Sequence, residues 1–441
     1  MLGISRKILL LSAVALLGSA CDTWMGDPEA PPLPGKRLSV LTHSQELTPD
    51  PELADAEILL PPPDANTSWP QAGGYANHAM HHLQVGDALH EVWRTNAGSG
   101  ADDEERLVAS PIVAAGRIYV VDVDTEITAL DAESGRKLWS VELTPDEEDD
   151  GHISGGIAYE DGRLFVTTGF AQAIALNAET GEELWRRDLD SPMRVAPTAR
   201  GGRVFVTTLE NRLYALNAKT GETLWSYEGV AEVASLLGGA SPAVDSGIVV
   251  APFTSGELVA LRVESGREIW TESLASVRRT DVVSTLSDIR GRPIIDRGRV
   301  YAVSHSGLMA AIDLASGQRV WDKEVGGIES PWIAGDYLFM LTNDSELLCL
   351  SRNTGRVFWI QSLPRYQDEE DKKDPIVWTG PILASDRLIV AGSYGEALAL
   401  SPYDGRLLGR QELPDGVSVT PVVANGTLYV LTDDADIVAL K

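Results

Sequence analysis

Short apolar runs, rich in β-branched and aromatic residues, recur along this chain and are broken by Gly, Asn, Asp and Ser. Ile118-Tyr119-Val120-Val121, Leu164-Phe165-Val166, Val204-Phe205-Val206 and Leu428-Tyr429-Val430-Leu431 are of this kind. Their length and the turn residues around them predict β-strands, with no sustained helical period anywhere. The runs fall into a repeat. ALDAESGRKLW (Ala129 to Trp139) returns as ALNAETGEELW, ALNAKTGETLW, ALRVESGREIW, AIDLASGQRVW, CLSRNTGRVFW and a worn ALSPYDGRLLG that ends at Gly409. Successive Trp positions lie between 38 (Trp321 to Trp359) and 51 (Trp270 to Trp321) residues apart. That is the period of a four-stranded propeller blade.

Within a unit, Ala-Leu closes one strand, an Asx/Ser/Thr-Gly segment turns the chain, and Trp begins the next strand. Gly135, Gly181, Gly221, Gly266, Gly317, Gly355 and Gly405 hold the same turn position, as a residue needed at φ > 0 does. Upstream of each unit stands a hairpin such as SPIVAAGRIYVV (Ser110 to Val121) or TPVVANGTLYVLT (Thr420 to Thr432). There are eight hairpins and eight Ala-Leu ends, the last being Ala439-Leu440, while Trp93 stands alone near the start. The chain therefore reads as all-β, an eight-bladed propeller of four-stranded blades whose ring is closed by N- and C-terminal strands sharing one blade. Trp93, Trp139, Trp185, Trp225, Trp270, Trp321 and Trp359 are expected to dock each blade on its neighbour. Gly409 lacks the indole, so its seam is expected to be the weakest.

Ahead of the repeats the pattern changes twice. Residues 1–20 carry a basic head, an apolar run to Leu17 and small residues before Cys21, which reads as a signal peptide and not a membrane span. Cys21 directly after that boundary is the expected lipidation site, with a secreted form cut by ordinary signal peptidase as the other reading. Residues 21–68 are rich in Pro and acids without a sustained period and read as a lipidated N-terminus followed by a disordered tether. Residues 69–441 make the propeller. His78, His81 and His82 stand close together, but no carboxylate or Cys is placed to complete a metal site. The segment that holds them is expected to cross the mouth of the ring.

Composition narrows the function. The chain carries 65 acidic and 36 basic residues, a formal net charge of −29, which argues against direct binding to nucleic acid or an anionic lipid surface. Part of the charge is gathered in Asp146-Glu147-Glu148-Asp149-Asp150 and Asp368-Glu369-Glu370-Asp371, read as solvated loops. Only Cys21 and Cys349 are present, so no disulfide framework is expected, and Cys349 reads as a buried strand thiol. Phosphate loops, HExxH, a nucleophile elbow and a dinucleotide fingerprint are all missing, and no carboxylate pair stands out. A binding scaffold without catalytic, cofactor or metal residues is the expectation.

Function is expected on long connections between blades. Two adjoin: Tyr227 to Pro242, which offers Leu236 and Leu237 beside glycines, and Thr271 to Pro293, which offers Arg278, Arg279, Asp281, Asp288 and Arg290. Apolar residues ringed by charge suit a protein-binding patch, although the leucines also suit a gap between blades.

The A-L-[DN]-x-x-[ST]-G-x-x-x-W unit resembles the propeller repeat of quinoprotein alcohol dehydrogenases. The wider set of Cys21, tether, eight blades, LLGGASPAVDSGIVVAP and TLSDIRGRPIIDRGRVYA is similar to the BamB family, the propeller lipoproteins of the outer-membrane β-barrel assembly machinery. That resemblance implies a non-catalytic subunit, anchored by lipid on the periplasmic face of the outer membrane. It would bind the periplasmic domains of BamA and assist folding and insertion of outer-membrane proteins. The implied form is a monomer within a hetero-oligomer, with unfolded outer-membrane proteins as a further partner class. It also implies a contact surface at Ala234, Leu236, Leu237, Asp288 and Arg290, where Leu237 stands for the family's Arg and Arg290 for its second acid. Asp22, next to Cys21, leaves inner-membrane retention open. Two rival readings remain: a pyrroloquinoline-quinone-dependent dehydrogenase, whose adjacent cysteines are missing here, and a cell-envelope scaffold with another partner.

Overall fold

Four consecutive strands build the first blade: Ile112–Ala114, Arg117–Val121, Glu126–Asp131 and Lys137–Glu142, all antiparallel. The computed structural model describes residues 47–102, 105–145, 153, 155–232, 236–275 and 287–441. Expectations placed on residues 1–46, including the signal peptide and Cys21, and on Asp146–Asp150 lie outside these. Blades 2 to 7 repeat the order of the first. Their opening strands are Gly156–Glu160, Thr198–Arg200, Ala243–Asp245, Ile294–Asp296, Trp332–Ala334 and Trp378–Ala384. Blade 8 takes Val422–Ala424, Thr427–Leu431 and Asp436–Leu440 from the C-terminal end and Glu91–Asn96 from the N-terminal end. Eight four-stranded sheets are thus present among the described residues, with the ring latched in one shared blade as the repeat count predicts. The latch leaves no open seam for edge-to-edge pairing.

The repeat explains the packing between blades. In the first six blades the third strand slips register between its Ala or Cys and the following Leu or Ile, and that small residue pairs with the Trp of the outer strand, as Ala129 does with Trp139. Blade 7 pairs Ala399 with Gly409 instead. Each indole then covers the turn glycine of the next blade. Trp93 lies over Gly135, Trp139 over Gly181, Trp185 over Gly221, Trp225 over Gly266, Trp270 over Gly317, Trp321 over Gly355 and Trp359 over Gly405. Five of them donate Nε1–H to the carbonyl three residues before that glycine, for example Trp270 to Leu314 at 2.8 Å. Glycine is therefore needed twice over. Its φ is positive, and any Cβ would meet the indole at 2.4 to 2.8 Å. Where blade 7 meets blade 8, a groove of about 180 Å³ opens between Gly409 and Ala399 on one side and Leu89, Leu428 and Leu440 on the other.

A strap of residues 64–84 closes one mouth of the ring. It visits the opening strand of every blade in order. Asn66 bonds blade 8 through Asn425, Trp69 pairs with Val113 of blade 1, Pro70 accepts from Tyr159 of blade 2, and the Gln71 side chain accepts from Ala199 of blade 3. Ala76 then accepts from Val244, Asn77 from Ile295, His81 from the Trp332 indole, and Leu83 exchanges bonds with Leu383 and Ser385. The circuit ends where it began, because Asp64 pairs with His82 and Gln84. The histidine segment thus crosses the mouth as its position suggested.

One expectation needs correction. The composition predicts a disordered tether as far as Ser68, yet residues 47–68 lie along the ring. Asp50 forms a two-pronged ion pair with Arg356 at 2.6 and 2.8 Å, which holds its carboxyl down at about 2. The Leu59 N–H donates to the Tyr337 hydroxyl at 3.0 Å, and Ile58 and Asn66 are buried. Pro and acidic residues give no period because this stretch forms only one short 3-10 turn, Pro51–Leu53, and takes its partners from the blades and the strap.

Candidate partner-binding face

The outer strand of one blade connects to the opening strand of the next on the face opposite the strap. Tyr227, at the end of blade 3, stacks on Phe253 of blade 4 with ring centroids 6.2 Å apart and an interplanar angle of 8°. Just beyond it, Gly229 donates to the Asn211 carbonyl, and the Asn211 side chain caps Val230. The loop so started carries Leu236 and Leu237. The second loop, between blades 4 and 5, carries Asp288 and Arg290 into the Ile294–Asp296 strand.

The two loops are tied directly. The Leu236 N–H donates to the Asp288 carboxylate, and His305 donates its N–H to the Asp288 carbonyl at 2.9 Å. Asp288 is only 3 % exposed, and burial pushes its carboxyl above the ordinary range against the pull of that N–H. The Arg290 guanidinium lies over Gly238, whose absent side chain leaves a space 3.6 Å from Nε. All four residues singled out from sequence are thus brought together, in unequal situations. Leu237 is 37 % exposed and Arg290 half-buried at the rim, Leu236 is half-buried, and Asp288 is interior. Val230, 56 % exposed, adds to the same face. Ala234, Arg278, Arg279 and Asp281 lie outside the described residues.

Inside the rim lies a feature the sequence reading missed. A cavity of about 50 Å³ sits on the ring axis, lined by Gly238, Gly239, Arg290, Arg292, Glu329 and Thr420 among others. Arg292 was visible in the Arg-Gly-Arg-Pro stretch but reads there only as the entry to a strand. Nothing in one sequence says that this entry points at an axis shared by eight blades. Below it, towards the strap, His78 donates from Nδ1 to the Pro293 carbonyl at 2.7 Å, and burial, with Arg292 nearby, lowers its pKa to about 3. His82 donates from Nδ1 to Pro61 and accepts from Asp386 at Nε2, while His81 lies 3.5 Å from Asp296. The three imidazoles therefore serve different partners. Cys349 is fully buried in its strand, and burial raises its thiol well above the usual range.

Comparison with known proteins gives a consistent result. A family model described as outer membrane protein assembly factor BamB matches residues 90–152, 146–361 and 367–441. The protein of that name from Alkalilimnicola ehrlichii is 36 % identical over 360 residues, covering 81 % of this chain and 90 % of that one. The one from Salmonella typhimurium is 29 % identical over 357 residues, covering 79 % and 88 %. Among solved structures, BamB from Moraxella catarrhalis superposes with a TM-score of 0.68 at 22 % identity, covering 80 % of this chain and 99 % of its own. A europium-containing methanol dehydrogenase reaches 0.66 at 16 % identity, covering 82 % and 89 %. At such identities the structural likenesses speak for the fold alone.

Proposed function

Because the chain belongs to the family of outer membrane protein assembly factor BamB, we propose that it is a non-catalytic subunit of the outer-membrane protein assembly complex, held at the periplasmic face of the outer membrane by lipid on Cys21. Its task is to hold the periplasmic domains of BamA on the face formed by the two tied loops, and so to support insertion of outer-membrane proteins.

The observation that carries this reading is the bond from Leu236 to Asp288 across the blade 4 boundary. It fixes an apolar loop against a charged one on a rigid ring, which lowers the entropy lost when a partner docks. Leu237 and Arg290 supply direct contact, while Asp288 positions them from within. Dehydrogenase chemistry draws support from the shared propeller only, and a fold does not carry a reaction with it.

Binding of the purified chain to immobilised BamA periplasmic domains tests the assignment. Leu237→Asp and Arg290→Glu are each expected to weaken binding about tenfold with the circular dichroism spectrum unchanged. Asp288→Ala should weaken it by freeing the loops, and Asp288→Asn, which keeps an acceptor, should weaken it less. Unchanged affinity in both the Leu237 and Arg290 variants removes this face from the interface.

A further inference from the structure

The strap crosses one end of the ring, and the axial cavity lies towards the other, bordered by the two tied loops and by the entries to blades 1, 6, 7 and 8. Its chemistry is unusual for this chain. With 65 acidic residues against 36 basic ones, cations have no shortage of partners. Even so, Arg290 and Arg292 both line this cavity, and the Nε of Arg292, buried on the strap side beside Gly73, has no hydrogen-bond partner. Burying a guanidinium is costly unless its donors are met.

Glu329, the acid in the same lining, is engaged elsewhere. Its Oε2 accepts from Thr379 Oγ1 at 3.1 Å, from Thr420 Oγ1 at 3.4 Å and from the Gly380 N–H at 3.4 Å, which fixes it to blades 7 and 8. Burial holds the Arg292 pKa below the ordinary range; Glu329 opposes the shift, and Arg290 adds to it by like-charge repulsion. His78, on the strap side, is neutral except in strong acid and adds no charge of its own. Gly238 leaves space beside the Arg290 guanidinium, where a side chain would stand within 4 Å of it. A space of about 50 Å³ exceeds the roughly 10–15 Å³ one water needs and suits a group of a few heavy atoms. The hydroxyls of Ser110 and Ser330 line the same cavity, and a hydroxyl can donate to an oxyanion; that of Ser418 is committed to Asp433.

We propose that this axial cavity binds a small oxyanion, a carboxylate or phosphate group, held by the guanidinium groups of Arg290 and Arg292 with lining hydroxyls as further donors. Planar guanidinium forks match both kinds of anion. Charge alone across the surface would repel anions from a protein at −29, so this is a local site that depends on its two arginines.

Isothermal titration of the purified full-length chain with malonate and, separately, with inorganic phosphate, against a chloride control, tests this. Saturable binding at one site per chain is expected for at least one of the two. Arg292→Gln is expected to weaken it roughly tenfold or more. Arg290→Gln, at the rim, should weaken it in the same direction and serves as the second variant should Arg292→Gln fail to fold. If neither anion gives saturable heat or raises the thermal midpoint, the proposal fails. It fails equally if binding persists undiminished in a folded variant of either arginine.

Discussion

The indole of Trp185 lies on Gly221 of the following blade, so close that a Cβ there would stand 2.7 Å from its ring, and its Nε1–H donates to the Ala218 carbonyl at 3.1 Å. Around the ring this pairing recurs seven times, and it makes the turn glycine part of the seam between blades.

Gly221→Ala is therefore expected to cost more than strained backbone alone. The left-handed conformation accounts for about 1–2 kcal/mol and crowding of the indole for about 1–3 more. Gly116→Ala is the control, since its φ of +74° is similar but nothing lies within 4 Å of the added atom. Urea unfolding of the two variants should separate them, and equal losses would show that the indole contact contributes nothing.

Gly409→Trp should stabilise the protein by about 1 kcal/mol. A glycine inside a strand loses roughly 0.5–1 kcal/mol relative to alanine, and the groove beside it is lined by Leu89, Leu428 and Leu440. The thermal midpoint is the readout, and a fall would mean that the split turn of blade 8 offers no seat for an indole.

His78 gives a pH dependence of definite sign. Its folded pKa, about 3, lies below the ordinary 6.5, so its contribution is complete above pH 6.5 and is lost as pH falls towards 3. The loss follows roughly 1.4 kcal/mol per pH unit, on the order of 5 kcal/mol in all. Asp122, Asp288 and Asp433 act oppositely, because burial raises their carboxyls and their contribution is lost as pH rises. Denaturant unfolding between pH 4 and 7 should show a shallower slope for His78→Asn than for the parent, and parallel curves would contradict the assignment.

Gln71→Ala should cost about 1–3 kcal/mol without altering the blades themselves. The amide oxygen of Gln71 accepts from the Ala199 N–H at 2.9 Å, and removing it leaves a buried donor in blade 3 unmet. Amide exchange at Ala199 should quicken in the variant, and unchanged protection there would argue against the strap as a clamp.

Blade number, strand order and the shared closing blade were legible in the sequence, because each depends on a local pattern repeated often enough to be counted. A short apolar run rich in β-branched residues specifies a strand, an Asx/Ser/Thr-Gly segment specifies a turn, and a Trp at a fixed offset marks an outer strand whichever blade it belongs to. Leu236, Leu237, Asp288 and Arg290 could be placed on adjoining loops for the same reason, since consecutive blades are neighbours. Only the tertiary structure decided that Asp288 is interior, that residues 47–68 lie along the ring, and that the strap meets all eight blades in turn. It also decided that Arg292 ends on the axis. Those facts join residues as far apart as Asn66 and Val423, and the strap has no repeat of its own: its bonds reach every blade in turn, so its conformation is set largely by the ring and not by its local sequence.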